Sequence, residues 1–556
     1  MKGLHLSFDR AWLALVPALC LVPALVQSGG TEPARTVDRG LYERHIAVLA
    51  SDGFAGRKPG TIGEEKTVAY LVDELRRLGA VPVGEGGFIQ PVPLVEIAPQ
   101  PEPQLSFSTP RGALPMRFGT DAVVFTKRQV TAAEVESSPV VFVGHGVVAP
   151  EYGWNDYAGV DMHGKTALIL INDPGFATGD DTLFRGRALT YYGRWTYKFE
   201  EAARQGAAAA IIVHETEPAA YGWATVVNSW ANPQLDMQVA DKRAGRVAIE
   251  GWITHERAAA LVAAAGHDFA ALKKAASTRG FAPVPLDVRA TASVHNTLHR
   301  SNSANVLAMI PGTKRPGEYV LYVAHWDHLG RTQGGEGDQT FNGAVDNATG
   351  TAGLLAIAAA FAGARERPER SIALLAVTAE EQGLLGSEYY VAHPRVPLAQ
   401  TVAVFNMDAL YFGGPTRDVR VVGAGASELE RYLAEEAARR GLVPVPEAQP
   451  EKGHFYRSDH FNFAQAGVPA LYLKTGIDDL DGGVAHGMAR EADYVARRYH
   501  QVGDEYTPGE RLEAGLEVVD LIYAIGRRIA NETSFPNWNA DSEFRAARDG
   551  SRGTAH

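Results

Sequence analysis

Apolar and polar positions recur along this chain with two different periods, and the changes from one to the other divide it. In "TIGEEKTVAYLVDELRRLG" the apolar residues Val68, Leu71, Leu75 and Leu78 recur at helical spacing. Thr61 and Glu64 stand at capping-box spacing and Gly79 supplies the stop, so the pattern predicts a helix within a largely helical stretch from Val37 to Gly79. Between 131 and 290 short apolar runs such as "PVVFVGHGV", "KTALILIN" and "AAAAIIVHE" alternate with turn residues, which predicts a β-rich module inserted into the chain. From Asn305 to Ala530 strand-like and helix-like runs alternate: "YVLYVAHWDH", "TGTAGLLAIAAAFA", "SIALLAVTAEE", "TVAVFNMDAL", "ELERYLAEEAARRG", "VPALYLKTG". The expected fold is α/β, a mixed, mostly parallel sheet flanked by helices, and in such folds function collects beyond the carboxyl ends of the strands. Residues 29–130 then form the N-terminal part of the domain completed by 291–533, and 534–556 form a polar extension.

The first 28 residues add a separate signal. Lys2 and Arg10 precede the apolar "AWLALVPALCLVPALV" and small residues follow, as in a secretory signal peptide. Pro17 and Pro23 interrupt that run, and it falls short of the ~20 residues of a spanning helix, so no stable membrane anchor is expected after cleavage. The expected location is periplasmic or secreted. The only cysteine, Cys20, lies inside this stretch, so a mature chain has no disulfide and must hold any metal with His, Asp and Glu. The net charge of -12 and the lack of a Lys/Arg cluster argue against a nucleic-acid partner.

The ends of the predicted strands collect ligand-type side chains. "SIALLAVTAEEQGLLGS" closes a buried strand with two adjacent acids, Glu380 and Glu381. The other ends deliver His325, Asp327 and Asp408, the turn "NGAVDNATGTAG" adds Asp346, and "RRYHQVGDEY" adds His500. Oxygen and imidazole donors without sulfur suit catalytic zinc, with manganese or cobalt as alternatives. If Asp346 bridges two metals, His325 and Asp408 serve one, Glu381 and His500 the other, and each keeps an open position. Glu380 is then free to act as a general base. Asp327, two residues from His325 on a strand, shares its face and can accept a hydrogen bond from the imidazole; otherwise it is a surface acid.

In this order and spacing, "AHWDHLG", "GAVDNATGTAG", "AEEQGLLGS", "FNMDA" and "YHQVGDEY" resemble the motifs of the bacterial co-catalytic two-zinc aminopeptidases, zinc-dependent exopeptidases of phosphorylase/hydrolase-like fold. "LASDGFAGRKPGT" and "YRSDHFNFAQAGVPALYL" extend the resemblance. It implies two zinc ions held by His325, Asp346, Glu381, Asp408 and His500, with Glu380 as base and Asp327 as orienting acid; Tyr499 reads equally as a donor to the developing oxyanion, as in the resembling enzymes, or as packing. It also implies peptide substrates that lose their N-terminal residue; the oligomeric state is left open. Val502 and Gly503 depart from the family's usual residues after the last ligand, and His486 in "DGGVAHGMAR" is a rival to His500. The inserted module, with "VFVGHGVVAPEYGWNDYAGVDMHGKTALILINDPGF", resembles a protease-associated domain, and its His145, His163 and His214 read as structural. His460 reads equally as pocket lining or core, and Trp326 and Phe412 as packing. Alternatives are a carboxypeptidase or dipeptidase with Arg457 or Lys474 meeting a carboxylate, and a receptor-like ectodomain without catalysis.

Overall fold

The structure, a computed structural model, describes residues 36–553 except 85, 333, 335 and 336. The expected signal segment and Cys20 lie outside the described residues, as does part of the glycine-rich run after Arg331.

Strand Arg315–His325 occupies the middle of the central sheet, parallel to Arg370–Val377 on one side and Thr401–Asn406 on the other. Ala470–Thr475 continues the parallel order, while Val284–Ile310 and Asp418–Val421 add antiparallel neighbours. Every residue of Arg370–Val377 and Thr401–Asn406 is buried. Helices on both faces demand this, and it is why these strands read as unbroken apolar runs. Alternate side chains serve opposite layers: Val320, Tyr322 and Ala324 join the cluster containing helices Thr349–Ala362 and Glu513–Asn531, while Leu321 and Val323 join Tyr390 and Phe463 on the other face. Gly526 is required by this packing, because a Cβ there would lie 1.7 Å from the Tyr322 hydroxyl. The segment 344–362 is apolar and long enough to cross a bilayer by composition, but 89% of it is buried in the protein.

A second sheet has its own apolar cluster, built around Phe107, Val124, Phe142, Leu168, Ile211, Ile253 and Leu261. It draws on strands that precede residue 131, Gln104–Thr109 and Ala122–Phe125, as well as later ones. The 27-residue strand Val284–Ile310 passes position 290 without a break. Its first part pairs with Ala132–Phe142, its middle with Ile89–Pro99 and its end with Arg370–Val377. One strand therefore serves both sheets.

Near the N-terminus, helices Arg39–Leu49 and Ile62–Arg77 flank a 3-10 turn, Asp52–Arg57. The capping residues of the second helix act, shifted by one position: Thr61 Oγ1 accepts from Gly63 N–H, and Glu64 accepts from Gly60 N–H rather than from the cap itself. The end of the chain corrects the expectation of a polar surface tail. Trp538 is fully buried and donates to Gly467 O at 3.0 Å, and Arg548, 1% exposed, donates to Thr401 O at 3.0 Å. Two anchors in a polar stretch are enough to dock it.

Candidate metal centre

Strand alternation would send Glu380 and Glu381 to opposite faces. The backbone prevents this by turning at Ala379, which takes a left-handed conformation at φ 52°, and Gly383 and Leu384 N–H close the turn onto Glu380 O. Both carboxylates thus reach the end of the parallel sheet, where His325 ends its own strand and Asp408 follows Thr401–Asn406. Asp346 arrives from a turn at the start of helix Thr349–Ala362, with non-helical dihedrals of -112° and 92°. Its position is fixed from behind: both oxygens of buried Asp504 accept backbone N–H groups, one from Val345 and one from Asp346, at 3.0 Å each.

The two oxygens of Asp346 face different histidines. Oδ1 lies 3.3 Å from His325 Nε2, which is also 3.4 Å from Asp408 Oδ1. Oδ2 lies 3.3 Å from His500 Nε2, which is also 3.0 Å from Glu381 Oε2. Ligands about 2.0–2.1 Å from one tetrahedral ion stand about 3.3 Å apart, so these separations fit ligand atoms converging on ions at either side of Asp346. His325, Asp346 and Glu381, and likewise His325, Glu380 and Asp408, form groups able to hold a metal ion. The donor set fits zinc.

Of the predicted residues, His325, Asp346, Glu380, Glu381, Asp408 and His500 therefore meet. His486 does not: it pairs with Asp479 at 2.6 Å and lines a neighbouring cavity of about 370 Å³. Tyr499 stacks on His500 with ring centroids 4.0 Å apart and is 45% exposed. Asp327 is placed differently from the expectation. Its carboxylate is 3.7 Å from His325 Nδ1, beyond hydrogen-bond reach, and its backbone oxygen lies closer to that nitrogen, at 3.2 Å. Asp327 Oδ1 instead accepts the Glu380 N–H at 3.1 Å, so the acid orients the neighbouring strand end. The backbone bends after His325, and the face-sharing argument ceases to apply there. His460, Trp326 and Phe412 are buried, and His460, with its pKa lowered by burial to about 3, is a core residue.

Three contributors escaped the sequence reading. His328, fully buried, holds Glu381 Oε1 at 2.6 Å and leaves Oε2 toward His500. The repeated His in "HWDH" was its only trace. Ser458 donates to Asp408 Oδ2 at 2.5 Å and accepts from Asn406 Nδ2 at 2.6 Å. Arg57 donates to Leu49, Trp326, Asn342 and Gly343 carbonyls, tying the first helix to the loops on either side of the centre.

The charges are strongly coupled. Burial pushes Glu380 up, helped by Asp408 and Glu381 and opposed by His325, and its carboxyl sits well above the usual range. Burial disfavours the charged form of His325 and His500, but surrounding carboxylates outweigh it; His500 is raised to about 11. For Glu381, burial opposes ionisation, and the charge of His500 prevails to bring it down to about 2. Without metal, both imidazoles thus carry protons at neutral pH. Metal uptake must displace them, so zinc affinity is expected to rise with pH through neutrality and on toward about 11, where His500 loses its proton unaided, and binding to release protons. Calorimetry in buffers of different ionisation enthalpy measures that release; a pH-independent affinity with no proton release would contradict the arrangement.

Residues 305–514 match the family model of peptidase family M28. All the predicted site residues, with His328, Ser458 and Asp504, lie within the matched residues. Aminopeptidase NAALADL1 of Mus musculus is 35% identical over 145 residues, 25% of this chain and 18% of that protein. A probable zinc metalloprotease of Pyrenophora tritici-repentis is 29% identical over 233 residues, 39% of this chain and 47% of that one. The chain spans less than half the length of either relative. The aminopeptidase from Aneurinibacillus sp. strain AM-1 shares the fold at a TM-score of 0.51 and 21% identity, over 91% of this chain and 97% of that one.

Proposed function

We propose that this chain is an exported zinc-dependent aminopeptidase that removes the N-terminal residue from peptides at a two-metal centre, with Glu380 as general base. The observation that carries the reading is Asp346, whose two oxygens each face a histidine paired with a further carboxylate. The match to peptidase family M28 and the names of the mouse aminopeptidase and the fungal probable zinc metalloprotease support it, and the apolar N-terminal run supports export. His325, Asp408 and Asp346 Oδ1 would hold one ion; His500, Glu381 and Asp346 Oδ2 would hold the other. Ions bound there would supply Lewis-acid polarisation of the scissile carbonyl and lower the pKa of a water.

The chain's own groups do the rest. Glu380 takes the proton of the attacking water and returns it to the leaving amine nitrogen. Asp327 steadies Glu380 through its backbone N–H. His328 keeps one oxygen of Glu381 occupied, so the other is presented to the centre. Tyr499, exposed beside His500, supplies a hydroxyl to the developing oxyanion.

The test is release of the N-terminal residue from a short peptide by the zinc-loaded protein, with the substrate amine free and acetylated, before and after chelation. Release from the free-amine peptide alone, lost on chelation and restored by zinc, is the expected result. Release that persists after complete metal removal, or from the acetylated peptide at equal rate, would overturn the reading.

A further inference from the structure

The helix that opens beside Asp346 is apolar along its length apart from its start. In "DNATGTAGLLAIAAAFA" the polar side chains after Asp346 are Asn347, Thr349 and Thr351, and all three are buried. Packing alone does not call for them, because a buried polar group costs stability unless it is hydrogen-bonded. The partner of each is backbone at or beside a predicted metal ligand. Asn347 Nδ2 donates to Met407 O at 3.0 Å and its Oδ1 accepts from Ala409 N–H at 3.3 Å, so one amide grips the chain on both sides of Asp408. Thr349 Oγ1 donates at 2.7 Å to Val345 O, the carbonyl that precedes Asp346, and accepts from Leu410 N–H at 3.2 Å. Thr351 Oγ1 donates to the carbonyl of His325 itself at 2.8 Å.

An α-helix turns by about 100° per residue, so Thr349 and Thr351 leave it on nearly opposite sides and can serve different ligands. Between them Gly350 lets the helix start press against the end of the Asp408 strand, since a Cβ there would lie 2.3 Å from Met407 O. Its N–H donates to Asn347 Oδ1 at 2.9 Å, which closes the start of the helix onto the same amide. Glu381 and His500 are held in another way. His328 fixes Glu381, and among the described residues no side chain of 347–351 hydrogen-bonds to Glu381 or His500.

We propose that Asn347, Thr349 and Thr351 are positioning residues for one ion only, the one that His325, Asp346 and Asp408 would hold, and that they set its affinity independently of the ion at Glu381 and His500. The inference rests on the two-metal part of the function proposed above. Ligand atoms have to be held within about 0.5 Å of their working places. Each of the three side chains fixes a peptide unit that carries or adjoins a ligand, and a loosened peptide moves the ligand with it.

Zinc titration of the metal-free protein by calorimetry, which needs no turnover, tests this in two backgrounds. His500→Ala leaves the His325 position to fill, and His325→Ala leaves the Glu381 position. Thr351→Val keeps the branched shape and removes the hydroxyl. Added to each background, it is expected to weaken zinc binding about tenfold or more in the first and less than about twofold in the second, and Thr351→Ser to restore the first. Asn347→Ala is expected to give the same split, and Thr351→Val carries the test if Asn347→Ala does not fold. Elemental analysis after dialysis is the parallel measure with every ligand present: Thr351→Val should keep one zinc where the wild type keeps two. Equal weakening in both backgrounds, no weakening in the first, or retention of both ions overturns the inference. The wild type alone reports on the function proposed above. Uptake of one zinc instead of two overturns the two-metal centre, whereas a loss confined to the His500→Ala background upholds the positioning role whether or not any peptide is cleaved.

Discussion

Glu380→Gln is expected to lower kcat for peptide hydrolysis by a factor on the order of 10²–10⁴ while the bound metal is unchanged. Glutamine keeps the size of the side chain and the backbone N–H that Asp327 accepts, so the turn at Ala379 stays in place. The neighbouring Glu381 is held separately, by His328 at 2.6 Å and His500 at 3.0 Å, and its contribution to metal binding survives. What is lost is the ability to carry a proton. Glu380 is surrounded by Asp408, Glu381 and Asp459, which with burial hold its proton affinity high, and an amide has no such proton to exchange. Metal content by elemental analysis, alongside kcat on a free-amine peptide, separates the effects. A variant with full metal and more than a tenth of the wild-type kcat would remove Glu380 from proton transfer.

Arg57→Met is expected to destabilise the protein by roughly 4 kcal/mol or more and to weaken metal retention with it. Arg57 is 1% exposed and donates to Leu49 O at 2.7 Å, Trp326 O at 2.9 Å, Asn342 O at 2.6 Å and Gly343 O at 2.8 Å. Methionine fills much of the volume but leaves four carbonyls facing an apolar side chain. It also removes the cation that the acids Asp504, Asp327, Asp346 and Glu381 share, after burial has already brought the Arg57 pKa down to about 10. Those acids then repel one another without it. Thermal unfolding should move down by several degrees, and zinc should be lost more readily on dialysis. A midpoint within a degree of wild type would mean that the loops around Asp346 hold themselves.

The two expectations differ in how they could be found. Glu380 was legible because adjacent acids at the end of an apolar strand are conspicuous in one dimension. Nothing within "LASDGFAGRKPGT" marks Arg57, since its acceptors are backbone carbonyls up to 286 residues away and carbonyls carry no sequence signature. His328 was missed for a similar reason: a second histidine in "HWDHLG" reads as a near repeat of the first, and its Glu381 partner is 53 residues off. Asp327 lies two residues past the end of strand Arg315–His325, where strand alternation no longer predicts which way a side chain points.

By itself the sequence determined the strand and helix order of the α/β core, the ligand-type residues at the strand ends and the choice of oxygen and nitrogen donors. These follow from periodicity and residue chemistry, which are local. Only the tertiary structure decided that His500 rather than His486 meets Asp346, that Asp327 holds a backbone N–H, and that Val284–Ile310 belongs to two sheets. Each depends on where the chain returns after many residues, and that is set by the burial of whole layers against one another, which no short window of sequence contains.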